Sequence, residues 1–284
     1  MIPAPDLLVI GGLSIDRFPD GSRRAGGAVL HGTRAAAADG FSVASVVLVG
    51  PEPEAARALV ELHAAGPCRL HDAERSIRFG IDERGPHRRL VLESRGGRLR
   101  ITPAEIATFG AHAVLFAPVA AEIGVASVRG VSSAVRVGAL QGWLRTLKIG
   151  QVVHPRAPAS LPRGLAEALG RFDALVASVD DLGTAGEPLV ALAALRRAFG
   201  ERPLLVVTAG ERGAWLDVHG TARIHVEPPL VVAGVSTVGA GDAFAALLTA
   251  ALGRRLAPQA AAQRAATGVS EILARRRADP GILG

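Results

Sequence analysis

Short apolar runs alternate with longer stretches of helix-forming residues along most of the chain. The apolar runs have the length of buried strands, and several of the stretches between them end at glycine, a common helix terminator. This alternation is typical of a mainly parallel sheet covered by helices on both faces. The predicted strands are residues 7–10, 43–49, 113–116, 135–140, 174–177 and 204–207, and the clearest predicted helices are residues 28–39, 53–65, 240–252 and 258–275.

Two features interrupt this pattern. Gly11 and Gly12 follow the first apolar run and are predicted to end the strand in a tight turn. In residues 76–94, Ile77 and Phe79 alternate with polar residues or glycine, and turn-forming residues come next. This stretch is predicted to be a two-stranded hairpin with one polar face, projecting from the sheet as a flap.

Composition narrows the class of protein. The chain is 49% hydrophobic with 34 glycines, which suits a layered α/β fold and argues against disorder. No internal repeat or flexible linker is present, so residues 1–284 are predicted to form one domain. The net charge is +6 with Lys148 as the only lysine, and the arginines are scattered apart from the run at 275–277. With 4% aromatic residues, this distribution does not support nucleic-acid binding.

The cysteine content and the N-terminus indicate an intracellular location. Cys68 is the only cysteine, so there is no intramolecular disulfide and no cysteine cluster for zinc. It is expected to be a small core residue. No apolar run reaches the ~18 residues of a membrane span, and no basic region precedes a long apolar run at the N-terminus. We therefore expect a cytoplasmic protein with no membrane partner.

Several common motifs are absent from the sequence. A Walker A loop needs Gly-Lys-Ser/Thr, but Ile149 follows Lys148. No GxGxxG joins a strand to a helix, and residues 234–238 miss the nucleophile elbow because Val238 replaces its last glycine. If the protein binds a nucleotide, it must therefore do so through a different sequence motif.

A glycine-containing turn at the N-terminus of a predicted helix provides such a motif. Gly239, Ala240 and Gly241 lie where an extended segment enters an apolar helix, so small side chains expose the N–H groups of its first turn to an anion. Asp242 lies in the same turn, where the helix dipole favours its carboxylate as a proton acceptor. The arrangement suits phosphoryl transfer. The alternative is that Asp242 only caps the helix and the glycines only turn the chain.

The segment VSTVGAGDAFAALLTAAL resembles the C-terminal signature of the ribokinase-like (PfkB) carbohydrate kinases. This resemblance implies a three-layer αβα sandwich with a mainly parallel central sheet and a small β lid. It also implies ATP-dependent phosphorylation of a hydroxyl of a small sugar, polyol or nucleoside. Asp242 would be the catalytic base, and Gly239, Ala240 and Gly241 would form the anion hole.

Weaker matches on the substrate side follow the family's order. Asp16 resembles the aspartate that binds substrate hydroxyls, and Gly26-Gly27 before an alanine-rich helix resembles the N-terminal signature. By position alone, Asp16 could equally be a turn residue and the glycines a loop before a helix. His31 occupies the place of a substrate-binding asparagine, so the family's sugar specificity does not carry over.

On the nucleotide side, TAGERGA matches the family's T-x-G-x-x-G-A segment, which implies that Thr208, Gly210 and Gly213 contact the nucleotide. Ser178 and Asp181 stand where the family has an Asn-x-x-Glu motif that helps organise magnesium and phosphate. Asp181 would act on magnesium through a bound water. The alternative for both residues is a loop before the next helix.

Other positions depart from the family or stay open. Ser236 replaces an aspartate associated with monovalent-cation activation, so potassium dependence is not implied. Trp143 is either a packing residue or a sugar platform, and Arg145 is either a phosphate contact or a surface arginine. The lid is expected near residues 16–26, where it is short, and near 76–94. Its exposed strand edges favour a homodimer formed through the lid.

The sequence therefore predicts a kinase that uses ATP and magnesium on a small sugar-like acceptor. A non-catalytic ligand- or nucleotide-binding regulatory protein on the same fold is the alternative from a different class. A hydroxymethylpyrimidine-type kinase is a nearer alternative, and Asp16 and Gly26-Gly27 argue against it.

Overall fold

A computed structural model describes residues 3–84, 89–131, 135–184 and 186–279. The strands are β1 (Leu7–Gly12), β2 (Ser14–Arg17), β3 (Arg23–Gly26), β4 (Val43–Val49), β5 (Cys68–Asp72), β6 (Ile77–Asp82), β7 (Arg89–Arg95), β8 (Ala113–Phe116), β9 (Val135–Ala139), β10 (Arg145–Thr146), β11 (His154–Pro155), β12 (Ala174–Ser178), β13 (Leu204–Thr208), β14 (Ala214–Val218) and β15 (Ala222–Val226). The α-helices are α1 (Ala28–Ala38), α2 (Pro53–Ala65), α3 (Pro103–Ala107), α4 (Val125–Val128), α5 (Arg163–Leu169), α6 (Val179–Leu182), α7 (Pro188–Phe199), α8 (Ala240–Gly253) and α9 (Pro258–Ala278).

A nine-stranded sheet in the order β15-β14-β13-β12-β9-β8-β1-β4-β5 forms the centre of the molecule. The strands from β13 to β5 pair in parallel, and β14 and β15 add an antiparallel hairpin at one edge. Parallel neighbours need crossover connections, which place α1, α2, α8 and α9 against one face and α3, α4, α5 and α7 against the other. Each face buries its own apolar core, so the predicted αβα sandwich with a mainly parallel sheet is confirmed.

The first strand is longer than predicted. β1 continues through Gly11 and Gly12, where the sequence predicted a tight turn. A Cβ on Gly11 would lie 2.5 Å from the carbonyl oxygen of Ala117, and one on Gly12 would lie 2.6 Å from Cδ1 of Ile77. The turn prediction was wrong because these glycines serve close packing within extended backbone.

A separate four-stranded sheet lies beside the central one in the order β3-β2-β6-β7. The predicted hairpin of residues 76–94 is present as β6 and β7. Its predicted turn, residues 82–85, ends at residue 85, which lies outside the described residues. Residues 14–26 add a second hairpin whose strand β2 pairs in parallel with β6. Both predicted lid segments therefore belong to one small sheet.

The outer edge of β7 is already paired within the chain. The Val153 N–H donates to the Leu90 carbonyl at 2.9 Å, and the Leu92 N–H donates to the Gln151 carbonyl at 3.1 Å. This pairing covers the strand edge that a partner could otherwise extend. A homodimer through the lid stays a prediction.

Cys68 begins the edge strand β5, where it is half-buried and packs against the core. The expectation of a core position was therefore only partly right. Burial raises the pKa of its thiol, which disfavours a reactive thiolate. Within the described ranges, no helix has both the length and the apolarity needed to cross a membrane.

Candidate active site

A cavity of about 640 Å³ lies at the carboxyl ends of the central strands, beneath the small sheet. Gln141, Ser178 and Thr208 come from the ends of β9, β12 and β13, and all three line it. Ligands of open α/β sheets bind at this edge. All the sequence-predicted site residues except Gly26 line the same cavity, namely Asp16, Gly27, His31, Ser178, Asp181, Thr208, Gly210, Gly213, Gly239, Ala240, Gly241 and Asp242.

The N-terminus of α8 forms one wall of the cavity. Gly239 is its N-cap, with a φ of 77°, and the Ala240 N–H donates to the Thr237 carbonyl at 3.0 Å. A Cβ on Gly239 would collide with the ring of His31, which is 7% exposed. The conformation and packing of Gly239 therefore account for its identity.

Gly241 differs from Gly239 in what surrounds it. Apart from its chain neighbours and the backbone of its own helix, no protein atom lies within 4 Å of the place where its Cβ would be, and the residue lines the cavity. The fold therefore does not require glycine here. A bare backbone at the N-terminus of a 14-residue helix is suited to the close approach of an anion.

A hydrogen-bonded chain leads from the acidic residue of this turn into the cavity. The side-chain amide of Gln141 donates to Oδ1 of Asp242 at 2.6 Å, and Nη2 of Arg145 donates to Oε1 of Gln141 at 3.1 Å. A second Arg145 nitrogen donates to the carbonyl of Val119 at 2.9 Å. The arginine also lies over the ring of Phe79, whose centroid is 5.7 Å from the guanidinium carbon.

A buried carboxylate fixes the loop to which Arg145 is hydrogen-bonded. Glu122 is 2% exposed, and its two oxygens accept the N–H groups of Gly12 at 2.8 Å, Ala120 at 2.8 Å and Val119 at 3.0 and 3.1 Å. Burial raises the pKa of Glu122, and the backbone donors oppose that shift. The residue fixes the loop whose Val119 carbonyl holds Arg145.

Asp16 lies at the other end of the cavity, on β2. It is 7% exposed, and the hydroxyl of Ser14 donates to its Oδ1 at 2.9 Å. A Cβ on Gly26 would collide with Oδ2 of Asp16. Gly26 does not line the cavity, and its lack of a side chain leaves room for the carboxylate of Asp16. Its role in substrate binding stays a prediction.

Gly27 is explained by the protein's own backbone. Its φ is 102°, and a Cβ would lie 2.5 Å from the carbonyl oxygen of Gly12. Gly27 lines the cavity as the N-cap of α1, so the fold itself accounts for glycine at this position. Its role in substrate binding stays a prediction.

The TAGERGA segment and an apolar surface form the far end of the cavity. Thr208 ends β13, and Gly210 and Gly213 have φ values of 58° and 86°. A Cβ on Gly213 would collide with the carbonyl of Val226, whereas one on Gly210 would meet nothing within 4 Å. The apolar surface beside them consists of Leu230, Val231, Val232, Ala233, Val269 and Leu273.

Ser178 and Asp181 form a capping box at the start of α6. The hydroxyl of Ser178 accepts the Asp181 N–H at 3.1 Å, and Oδ2 of Asp181 accepts the Ser178 N–H at 2.9 Å and its hydroxyl at 2.7 Å. Both residues therefore lie at the start of a helix, where the sequence-based alternative had placed a loop before the next helix. The described residues contain no cluster of three His, Cys, Asp or Glu side chains able to hold a metal. The role of Asp181 toward magnesium stays a prediction.

A family model described as pfkB family carbohydrate kinase matches residues 12–278. The chain belongs to this family.

Solved structures share the fold of this pfkB-family protein at low sequence identity. A pyrophosphate-dependent kinase in the ribokinase family, complexed with a pyrophosphate analog and myo-inositol, has a TM-score of 0.74 at 15% identity, covering 98% of this chain and 100% of that one. Ribokinase from Arabidopsis thaliana, complexed with ribose and ATP, has a TM-score of 0.71 at 17% identity, covering 94% and 92%. Ribokinase from Cryptococcus neoformans var. grubii serotype A, in complex with ADP, has a TM-score of 0.64 at 17% identity, covering 93% and 92%. No curated protein matches the chain.

Two residues left open by the sequence are placed by the structure of the pfkB-family protein. Trp143 is 3% exposed and its ring N–H donates to the carbonyl of Ile123 at 2.8 Å, so it is a packing residue. Arg145 is partly buried and lines the cavity, so the surface alternative is wrong.

Sequence reasoning missed Gln141 and Ser14 in this pfkB-family site. Gln141 follows β9, and Ser14 begins β2 directly after β1. The available signal was position, because polar residues that follow parallel strands meet at one edge of the sheet. A lone glutamine or serine in a loop offers no spacing pattern beyond that.

Proposed function

We propose that this pfkB-family protein transfers the γ-phosphoryl group of ATP to a hydroxyl of a small polyhydroxylated acceptor, such as a sugar, a polyol or a nucleoside. The single observation that carries the proposal is the placement of Asp242 beside the open backbone at Gly241 in one cavity with Asp16. A proton acceptor, an anion-binding turn and a second carboxylate for hydroxyls are the parts that this reaction needs.

The chemistry is assigned to the first turn of α8. Asp242 takes the proton from the acceptor hydroxyl as its oxygen attacks the γ-phosphorus and the bond to the β-phosphate oxygen breaks. The backbone N–H groups of the turn stabilise charge on the phosphoryl oxygens. Gln141 holds the carboxylate of Asp242 at 2.6 Å, so the base is oriented before the acceptor arrives.

The acceptor lies between the base and the small sheet. Asp16 accepts hydrogen bonds from acceptor hydroxyls, and the hydroxyl of Ser14 fixes its orientation at 2.9 Å. Phe79, Ile81 and Leu90 of the small sheet line the cavity with apolar side chains. Such a cover keeps water from the phosphoryl group, which would otherwise be hydrolysed.

An apolar surface at the far end of the cavity supports a nucleotide donor. Leu230 and Val231 line the cavity but keep 54% and 50% of their surface exposed. Val269 and Leu273 of α9 continue this surface. A purine ring would cover it, whereas pyrophosphate, which a structurally similar kinase uses, has no apolar part.

The carboxylates at the start of α6 fit a magnesium ion that is held through water. Asp180 and Asp181 both line the cavity, and magnesium is usually bound by one or two carboxylates together with donor phosphates and waters. Bound there, magnesium would neutralise phosphate charge.

The test begins with a thermal-shift screen of sugars, polyols and nucleosides in the presence of a non-hydrolysable ATP analogue. With an acceptor that turns over, Asp242→Asn should lower kcat by about 10²- to 10⁴-fold, because general-base catalysis is lost. Asp72→Asn, at an exposed position on β5, is the matched control and should keep its activity. Unchanged turnover in Asp242→Asn would show that the base assignment is wrong.

The donor is tested separately. ATP should support turnover and pyrophosphate should not, and Leu230→Ser combined with Val231→Ser should raise the KM for ATP by about 10-fold through lost apolar burial. Turnover with pyrophosphate but not with ATP would show that pyrophosphate, not ATP, is the phosphoryl donor. Binding of ATP without turnover of any acceptor would favour the non-catalytic alternative.

A further inference from the structure

Arg276 binds the segment that leads into the anion-binding turn. One nitrogen of its guanidinium, Nη1, donates to the carbonyl of Ser236 at 3.0 Å and to the carbonyl of Val238 at 2.8 Å. The side chain reaches this segment from the last turn of α9. Two main-chain carbonyls therefore converge on one cationic nitrogen directly before Gly239.

The segment between β15 and α8 depends on such side-chain contacts because it has no regular secondary structure. Earlier in α9, the hydroxyl of Ser270 donates to the carbonyl of Leu230 at 2.9 Å. The Thr237 carbonyl, which lies between the two that Arg276 binds, accepts the Ala240 N–H of α8 at 3.0 Å. The positions of the first N–H groups of α8 are thus coupled to the two carbonyls held by Arg276.

The charged guanidinium of Arg276 is partly buried against the segment that precedes the turn. Burial lowers the pKa of Arg276, and the nearby positive charge of Arg34 lowers it further. Arginine nonetheless stays protonated at neutral pH, so the guanidinium supplies a fixed positive charge there. Burying a charged group costs free energy, so the presence of a cation here indicates that the positive charge itself has a role.

We propose that Arg276 is a positioning residue of the phosphoryl-transfer site, acting as a built-in cation that holds the carbonyls of Ser236 and Val238 and so places the anion-binding N–H groups of α8. The inference rests on the proposed function. It also assigns a role to Arg276 of the 275–277 arginine run, a residue that the proposed function does not use. With the guanidinium in place, the two carbonyls need no bound monovalent ion.

The neighbouring arginine provides a matched control. Arg277 belongs to the same run but is exposed. Arg277→Ala removes the same charge from the same helix turn without touching the segment that Arg276 binds. A general effect of losing a positive charge or of changing helix propensity would be equal in Arg276→Ala and Arg277→Ala.

The kinetic test compares substitutions that separate charge from hydrogen bonding. Arg276→Ala should lower kcat by ~10²-fold, as expected when reacting groups are displaced by about 1 Å. Arg276→Lys should recover more activity than Arg276→Gln, and guanidinium or potassium ions should partly restore Arg276→Ala. The wild-type rate should not change when sodium replaces potassium. Equal activity of the Lys and Gln variants without ion rescue would overturn the role of the charge, and wild-type activity in Arg276→Ala would overturn the role altogether.

A second measurement does not depend on turnover. Hydrogen–deuterium exchange of the amides of residues 237–242, with no ligand added, should be at least 10-fold faster in Arg276→Ala than in wild type or Arg277→Ala. Exchange that stays at the wild-type rate would reject the positioning role. If the exchange rate rises but no acceptor turns over in wild type, the proposed function fails while the positioning of the turn by Arg276 stands.

Discussion

The side-chain amide of Gln141 donates a 2.6 Å hydrogen bond to the carboxylate of Asp242, across 101 positions of the chain. A carboxylate only accepts hydrogen bonds, so the amide must present its NH2 group to Asp242 and its oxygen elsewhere. Arg145 donates to that oxygen at 3.1 Å, which fixes the amide in this orientation. The proposed base, Asp242, is therefore oriented by Gln141, and Gln141 is in turn oriented by Arg145.

Substitution of Gln141 should impair turnover. Gln141→Ala should lower kcat roughly 10- to 100-fold, since a hydrogen bond to a charged group contributes about 1.5–3 kcal/mol. Gln141→Glu should be worse, because it places a second negative charge against the base. Steady-state kinetics would measure both, with the exposed Gln259→Ala as control. Wild-type kcat in both Gln141 variants would rule out a role in orienting Asp242.

Alanine at the two glycines of the turn should have opposite effects. Gly241→Ala should leave the free energy of unfolding unchanged or raise it by up to ~1 kcal/mol, because alanine favours helix, yet its Cβ should block the donor phosphate. Gly239→Ala should destabilise the fold, because φ is 77° and the new Cβ meets His31. Denaturant unfolding and the KM for ATP would separate the two effects. Normal donor binding in Gly241→Ala would argue against a phosphate at this turn.

The consecutive part of the site could be predicted from the sequence. Residues 239–242 stand where an extended segment enters an apolar helix, and that junction alone predicts exposed N–H groups and a nearby carboxylate. Asp16 and Thr208 lie at or just beyond the ends of parallel strands, and such ends share one edge of a sheet. Local pattern and topology suffice for these residues.

The remainder depends on contacts that a sequence pattern does not encode. Gly239 and Gly241 are the same residue type two positions apart, yet one packs against His31 and the other faces open space. Gln141 and Arg276 act through residues distant in the chain, and neither belongs to a spaced motif. Only the fold brings such residues to the site.

Loss of the buried carboxylate at Glu122 should destabilise the protein. Both of its oxygens accept backbone N–H groups, from Gly12 and Ala120 among others, so a glutamine would turn an NH2 group toward at least one donor. Glu122→Gln should therefore lower the free energy of unfolding by about 2–3 kcal/mol. Glu167→Gln, at an exposed helix position, should change it by less than about 0.5 kcal/mol. Chemical denaturation would measure both, and equal stabilities would show that the loop does not depend on Glu122.

Asp6 should make stability depend on pH in the acid range. It joins the start of β1 to the end of α8, because Arg254 donates to both of its oxygens at 2.9 and 2.8 Å, and Ser42 donates its N–H and hydroxyl at 2.9 Å each. The hydrogen bond from Arg254 holds the pKa of Asp6 well below its ordinary value of 3.8, with burial opposing and Ser42 assisting.

The sign of the pH dependence follows from which state takes up the proton first. On acidification the unfolded chain protonates Asp6 near its ordinary pKa of 3.8, while the folded protein still holds the carboxylate, so folding becomes less favourable. The contribution of Asp6 is thus complete above that pH and is lost as the pH falls through the lower folded pKa. Asp6→Asn should cost about 1–2 kcal/mol at pH 7, because Arg254 is partly exposed and water screens the pair. Its stability should then fall less steeply than that of wild type between pH 4 and pH 2, whereas the exposed control Asp72→Asn should follow wild type. Parallel curves for Asp6→Asn and wild type would mean that Asp6 is not the titrating group.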